Sequence, residues 1–432
     1  MVSNMFPTDW KVEKLIELGF SYSGLKSKSK KDFDENGNAS FVTYRNINRN
    51  YFVDKQDLAS VHVKSTENQN AVEKGDVLFT GSSETPDEVA ISSVMACEID
   101  NLYLNSFCFG YRFNDVNKTL PDFYAYYFRA DHFRKTVFPL AQGSTRYNIS
   151  KNELLKVEVP VPCKKEQQKI AAILSSVDEA IEKTEQIIEQ TETVKKGLMQ
   201  QLLTKGIGHT KFKKTKIGIL PSSWDVIRFD DCFHEFFDYR GRTPKKLGMN
   251  WGNGNIPALS ANNVKMGHID FEEECYTGSE ELYQRWMSKS ELEQGDILFT
   301  MEAPLGNVAQ VPDNKKYILS QRVVAIRPKE FILKDYLRYY LMSPSFQSLI
   351  NRFSTGTTAK GISQKNLFPL LVAIPSMEEQ IKIVNTLWNM DDKLLNENNK
   401  LNKLVSIKQG LMQQLLTGKT RVKINEKEEV PS

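Results

Sequence analysis

YRGRTPKK, at 239–246, sets Arg240, Arg242, Lys245 and Lys246 around a glycine, and SGLKSKSKK, at 23–31, crowds Lys26, Lys28, Lys30 and Lys31 behind another. TYRNINR at 43–49 adds Tyr44, Arg45 and Asn46, and LSANNVK at 259–265 adds Ser260, Asn262, Asn263 and Lys265. Asparagine can grip adenine through a paired donor and acceptor, and arginine can grip guanine. GSTR at 143–146 (Ser144, Thr145, Arg146) and GTTAK at 356–360 (Thr357, Thr358, Lys360) offer backbone N–H groups, hydroxyls and a cation of the kind that holds phosphates. Taken singly, each of these residues reads equally well as solvated loop. Their occurrence in matched pairs, one in each half of the chain, favours binding.

Residues for bond-making chemistry are harder to assemble. TGKT at 417–420 has the ending of a phosphate-binding loop, but the glycine expected five residues before Gly418 is Gln413, and no strand precedes it. Gly418 reads instead as the cap of a helix. The chain has no glycine-rich dinucleotide fingerprint and no Asp/Asn-Pro-Pro-aromatic tetrapeptide of the amino-methyltransferase kind. His62, His132, His209, His234 and His268 are scattered without ligand spacing, and the five cysteines form no CxxC pair. No metal or cofactor site is therefore expected in this chain. A net charge of +3 neither demands nor excludes nucleic acid. The beginning of the sequence lacks an apolar leader core and no run is long enough to span a bilayer, so a cytoplasmic protein without membrane contact is expected.

The elements that must position the basic loops come in two copies. GLMQQLLT occurs at 197–204 and at 410–417, a shift of 410 − 197 = 213. The same shift lays EQQKI (166–170) on EQIKI (379–383), GSTRYNIS on GTTAKGIS, and DFYAYYF (122–128) on DYLRYYL (335–341). Nearer the start of each half the shift drifts: GDVLFT (75–80) meets GDILFT (295–300), and PTDWKV (7–12) meets PSSWDV (221–226). The chain is one module of about 210 residues written twice.

Each module opens with a mixed part, in which short β-rich runs alternate with Gly, Asn and Asp, and which ends in an apolar strand, VEVPVP (157–162) or LVAIP (371–375). A long proline-free helix follows, over about 166–203 and about 378–416. Ile170, Ile173, Val177, Ala180, Thr184, Ile187, Thr191, Val194 and Leu198 form a narrow stripe on the first. Ile383, Leu387, Met390, Leu394, Leu401, Leu404, Leu411 and Leu415 do so on the second. Each stripe needs a partner helix, and the other copy is the natural one. The expected fold is mixed α+β: a globular domain at 1–162, a long helix at 163–206, a second globular domain at 207–375, a second helix at 376–418 and a disordered tail at 419–432. The two helices would pair antiparallel as a coiled coil between the globular domains.

The combination of P-x-x-W, GD-[VI]-LFT, the G-[ST]-T loop, EQ-x-KI and GLMQQLLT in both halves resembles the specificity subunits of type I restriction–modification systems, over essentially the whole chain. LSQRVVAIRP (319–328) and IPALSANNVKMGHID (256–270) strengthen the likeness; SFCFGYRF and GNASFVTYRNI depart from it in the first half. The resemblance implies two target-recognition domains, each reading one half of a split sequence in double-stranded DNA. It implies helices that act as a ruler and dock two methyltransferase subunits, whose ends GLMQQLLT would serve as two equivalent docking surfaces. Motor-nuclease subunits would join them. S-adenosylmethionine, ATP and Mg would sit on those partners, none on this chain. The competing expectations are a coiled-coil scaffold with protein-binding ends and a self-contained nuclease or methyltransferase.

Overall fold

The computed structural model describes residues 6–288, 290–356 and 359–424. They fall into two compact units, Met1–Glu185 with Asn399–Ser432, and Gln186–Asn398. The long helices are Lys164–Lys205 and Met377–Leu415. Each unit therefore owns the beginning of one helix and the end of the other, rather than leaving the helices as a separate domain.

The first unit is built on a four-stranded sheet in the order Gly19–Ser23, Cys108–Phe113, Val77–Thr80, Ser92–Val94, all antiparallel. The second repeats it with Phe233–Asp238, Val323–Pro328, Ile297–Thr300 and Val308–Gln310. The repeated LFT segment is apolar without a break because its sheet is covered on both faces. Val77 and Phe79 enter one core and Leu78 another; Ile297 and Phe299 enter one and Leu298 another. Alternation along a strand sends neighbours to opposite faces. A smaller sheet follows in each unit, in which Ala39–Val42 pairs parallel with Leu102–Leu104 and Ile256–Leu259 with Ile318–Leu319.

The aspartate before each LFT run is fully buried and accepts a two-pronged arginine. Arg112 meets Asp76 at 2.7 and 2.8 Å, and Arg327 meets Asp296 at 3.0 and 2.7 Å. Both aspartates also accept a turn amide, from Glu73 and Glu293. A buried carboxylate is tolerable only when so paired.

The joint between globular part and helix explains EQ-x-KI and P-x-x-W. Trp10 donates to Glu166 and Trp224 to Glu379, each at 2.9 Å. The next residue, Gln167 or Gln380, accepts the amide of Leu120 or Leu333 and donates to the carbonyl of Pro162 or Pro375. From the aromatic helix, Tyr126 donates to Asp178 and Tyr339 to Asp391.

GLMQQLLT fits into that joint. In the first unit Met412, Leu415 and Leu416 share a core with Trp10, Ile170 and Leu174. In the second, Met199, Leu202 and Leu203 share one with Trp224, Ile383 and Leu387. Lys408 pairs with Asp178 at 2.6 Å while Arg421 reaches Glu166, so within the first unit the two helix segments run antiparallel. Lys195 with Asp391, and the amide of Ile207 with Glu379, give the second unit the same direction. One socket occurs twice, and one plug is written twice to fill it. The apolar face of each ending is consumed inside the chain, which leaves Gln200 and Gln201, and Gln413 and Gln414, as its exposed face. The stripe needs one correction, since Val194 is 54% exposed and its counterpart Ile407 is 51% exposed.

Gly418 adopts φ +69 after the second helix, as a C-cap does. Within the expected disordered tail, Arg421 is held by Asp9 and Glu166 at 2.7 to 3.0 Å. Residues 425–432 lie outside the described residues.

Candidate nucleic-acid interface

Each unit carries a hairpin at the glycine-hydroxyl loop, closed by bridges between Gln142 and Asn148 and between Thr355 and Gly361. Ser144, Thr145 and Arg146 are exposed at the first tip, with the Arg146 guanidinium over the exposed ring of Phe107 at 5.3 Å. Thr357 and Thr358 lie outside the described residues, and Lys360 is exposed. The turns of Gly143 and Gly356, at φ +136 and +96, suit glycine alone.

Just past each hairpin, Ser150 or Ser363 precedes a short helix, Lys151–Leu155 or Gln364–Leu367. The first side chain of that helix crosses to the end of the sheet. Lys151 donates to the Ser23 hydroxyl at 2.6 Å, and Gln364 donates to Asp238 at 2.7 Å. Asp238 in turn holds Arg240 through Nε and Nη2 at 2.6 to 3.0 Å. The Arg240 guanidinium holds the Asp238 carboxyl below its usual range despite burial that pushes it the other way. Arg240 and the second hairpin thus share one surface, as do Arg146 and the first. Sequence reasoning missed Lys151 and Gln364. The signal was present: 364 − 151 = 213, the repeat shift, at a position where the residue type changes.

Other basic candidates are split between solvent and structure. Lys30, Lys31, Lys245 and Lys246 are exposed, Lys246 also donating to the Gly241 carbonyl at 2.6 Å. Arg45 is exposed but paired with Asp57 at 2.6 Å. Lys265 is half-exposed, 4.0 Å from Asp270 and 3.9 Å from Glu273. Lys28 is corrected to a structural residue: its side chain is 2% exposed, tied to Glu67 and to the His62 carbonyl. Arg242 donates to the Trp286 carbonyl and lies over the Tyr239 ring at 4.8 Å, clamping its own loop.

Two base-reading candidates are overturned by burial. Asn46 is fully buried, donating to the carbonyls of Asp54 and Asp57 and accepting the Asp54 amide. Asn263 is fully buried too, accepting from the amide and hydroxyl of Ser260. Both staple the turn after a strand, so the pairing of the two segments holds while the role does not. Tyr44 packs half-buried on the core beneath that turn, and Ser260 is engaged with Asn263. Asn262 alone of that stretch stands exposed. Among the described residues, no cluster of three His, Cys, Asp or Glu side chains could hold a metal ion, and no helix is long and apolar enough to cross a membrane.

Comparison with known proteins agrees with this doubled architecture. The family model for the type I restriction modification DNA specificity domain matches twice, at residues 7–193 and 221–406. The chain belongs to that family, as a type I specificity subunit with two target-recognition domains. It is 27% identical to the type I restriction enzyme MjaVIII specificity subunit of Methanocaldococcus jannaschii, covering 96% of this chain and 94% of that protein. It is 22% identical to the EcoKI specificity subunit of Escherichia coli K12 over 61% of this chain and 56% of that one. Among solved structures, the S subunit of a type I system from M. genitalium aligns with TM-score 0.54 at 16% identity, over 94% of this chain and 96% of that one. A chain solved in work on complex assembly of the type I system aligns at 0.60, also at 16% identity, over 96% and 99%. These structures share the fold.

Proposed function

We propose that each unit reads one half of a two-part sequence in duplex DNA, while the chain itself performs no bond chemistry. The observation that carries this reading is the contrast between frame and loop. The sheet order, the buried Asp–Arg pair, the Trp–Glu joint and the helix socket repeat in both units. The polar groups at the hairpin surface do not. A repeated frame with changed reading groups is what two different half-sites require.

The long helices are the ruler between the half-sites in this reading. They also dock two methyltransferase subunits, and motor-nuclease subunits join the assembly in the cytoplasm. S-adenosylmethionine, ATP and Mg act on those partners. The two docking positions are centred on Val194 and Ile407, equivalent by the repeat shift (407 − 194 = 213) and exposed although apolar.

The test is a titration of the purified chain with a methyltransferase subunit of a type I system from the same cell. The chain alone leaves DNA unmodified and uncut; the mixture methylates it, and mass measurement at saturation finds two partner copies per chain. A stable one-to-one complex contradicts the double docking. DNA affinity that ignores salt contradicts the DNA reading, since phosphate neutralisation makes binding fall steeply with added salt.

A further inference from the structure

Lys151 and Gln364 occupy the same place in the two units. Each begins the short helix behind the hairpin and each reaches the residue that ends the first strand of the main sheet, Ser23 or Asp238. The chemistry offered at that place is different.

In the first unit the group is a half-buried ammonium. It donates to the Ser23 hydroxyl and lies 5.8 Å from the centre of the Phe109 ring, and no carboxylate pairs with it among the described residues. Burial and the nearby charge of Lys26 both push its pKa down. An ammonium held in this way has spare N–H groups and lacks an anion. It offers donors only.

In the second unit the amide orientation is fixed by chemistry. Asp238 can only accept, so the Gln364 nitrogen must face it and the Gln364 carbonyl oxygen is left outward. Arg240 spends Nε and Nη2 on the same carboxylate, and Nη1 has no hydrogen-bond partner among the described residues, with the charge of Glu302 acting on the guanidinium from nearby. That surface offers one acceptor and one donor, both braced by Asp238.

We propose that Lys151 and Gln364 are equivalent specificity-determining positions, the first selecting a guanine and the second, with Arg240, an adenine. Guanine shows two acceptors in the major groove, which match a group that only donates. Adenine shows an acceptor beside a donor, which match Arg240 and Gln364. The assignment rests on the reading of each unit as a half-site reader.

The full chain is incubated with a pool of duplexes carrying a random segment, and bound sequences are read out for the wild type, Lys151→Gln and Gln364→Lys. The wild type enriches two specified blocks. Lys151→Gln lowers the preference for one guanine in one block by about tenfold, and Gln364→Lys turns one adenine in the other block towards guanine. The untouched block in each variant reports that the protein is folded. The assignment is overturned if both blocks survive unchanged, if both variants alter the same block, or if binding weakens for all sequences alike with a shallower salt dependence, the mark of a phosphate contact. A wild type that enriches no sequence overturns the half-site reading itself, a result distinct from unchanged blocks.

Discussion

Asp76 and Asp296 carry full burial, an arginine and a turn amide each, and little else could occupy those positions. Asp296→Ala would remove the buried carboxylate from Arg327 and leave it only the part-exposed Glu235 and Glu293, at 2.7 and 3.0 Å, so the loss should approach but not exceed the about 3–5 kcal/mol of a broken buried ion pair. Denaturant unfolding should show that loss; a change under 1 kcal/mol contradicts the structural role. His132 predicts a pH effect of defined sign. Its ring packs on Tyr127 at 4.7 Å, its Nε2 is buried without a partner among the described residues, and burial pulls its pKa down to about 4. The unfolded chain, near 6.5, therefore takes up the proton first. Stability present above pH 6.5 is lost as pH falls towards 4, by about 2 kcal/mol after allowing for screening. His132→Phe should flatten that part of the melting-temperature profile, and an unaltered profile would show the ring is not responsible. Asn46 and Asn263 mark the limit of reading single residues. An asparagine beside Thr43 or Ser260 has the same letters whether it faces a base or staples a turn, and only burial separates the two. Alanine at either should cost about 1–3 kcal/mol through unpaired backbone groups and leave the recognised sequence unchanged; the reverse pattern restores them as readers.

At the scale of elements, the repeat made most of the architecture legible. The strands, the aromatic helix and the long helices follow from periodicity, and the 213-residue shift doubles every inference. What periodicity does not convey is which surface a helix end meets. GLMQQLLT reads equally as a partner dock or as an internal plug, because Met199, Leu202 and Leu203 are apolar in either case. The socket becomes visible only when Trp224 and Ile383 are brought beside them. Lys151 and Gln364 were hidden for a related reason: their partners, Ser23 and Asp238, are more than a hundred residues away in sequence. If the two sockets are equivalent, Leu203→Ala and Leu416→Ala should each cost about 2–5 kcal/mol as buried large-to-small changes. Calorimetry showing one of them neutral would mean that the plug is needed on one side only.

For the whole molecule, the proposed reading makes helix length the determinant of DNA spacing. A helix of 42 residues is about 63 Å long. Adding one heptad after Glu189 and another after the equivalent Asn402 lengthens each helix by roughly 10 Å while keeping the apolar stripe nearly in phase. That is about three base pairs of rise. The half-sites should stay the same and the unspecified gap should widen; a folded, active variant with the original gap shows that the helices are not the ruler.

The central claim, that two units read two separate half-sites, is met most directly by mapping the sequence recognised by the full chain with its partners, for the wild type and for Arg146→Ala and Arg240→Ala. The account predicts two specified blocks around an unspecified gap, with Arg146→Ala relaxing only one block and Arg240→Ala only the other. A single uninterrupted block, or a loss spread over both blocks from either substitution, would contradict it.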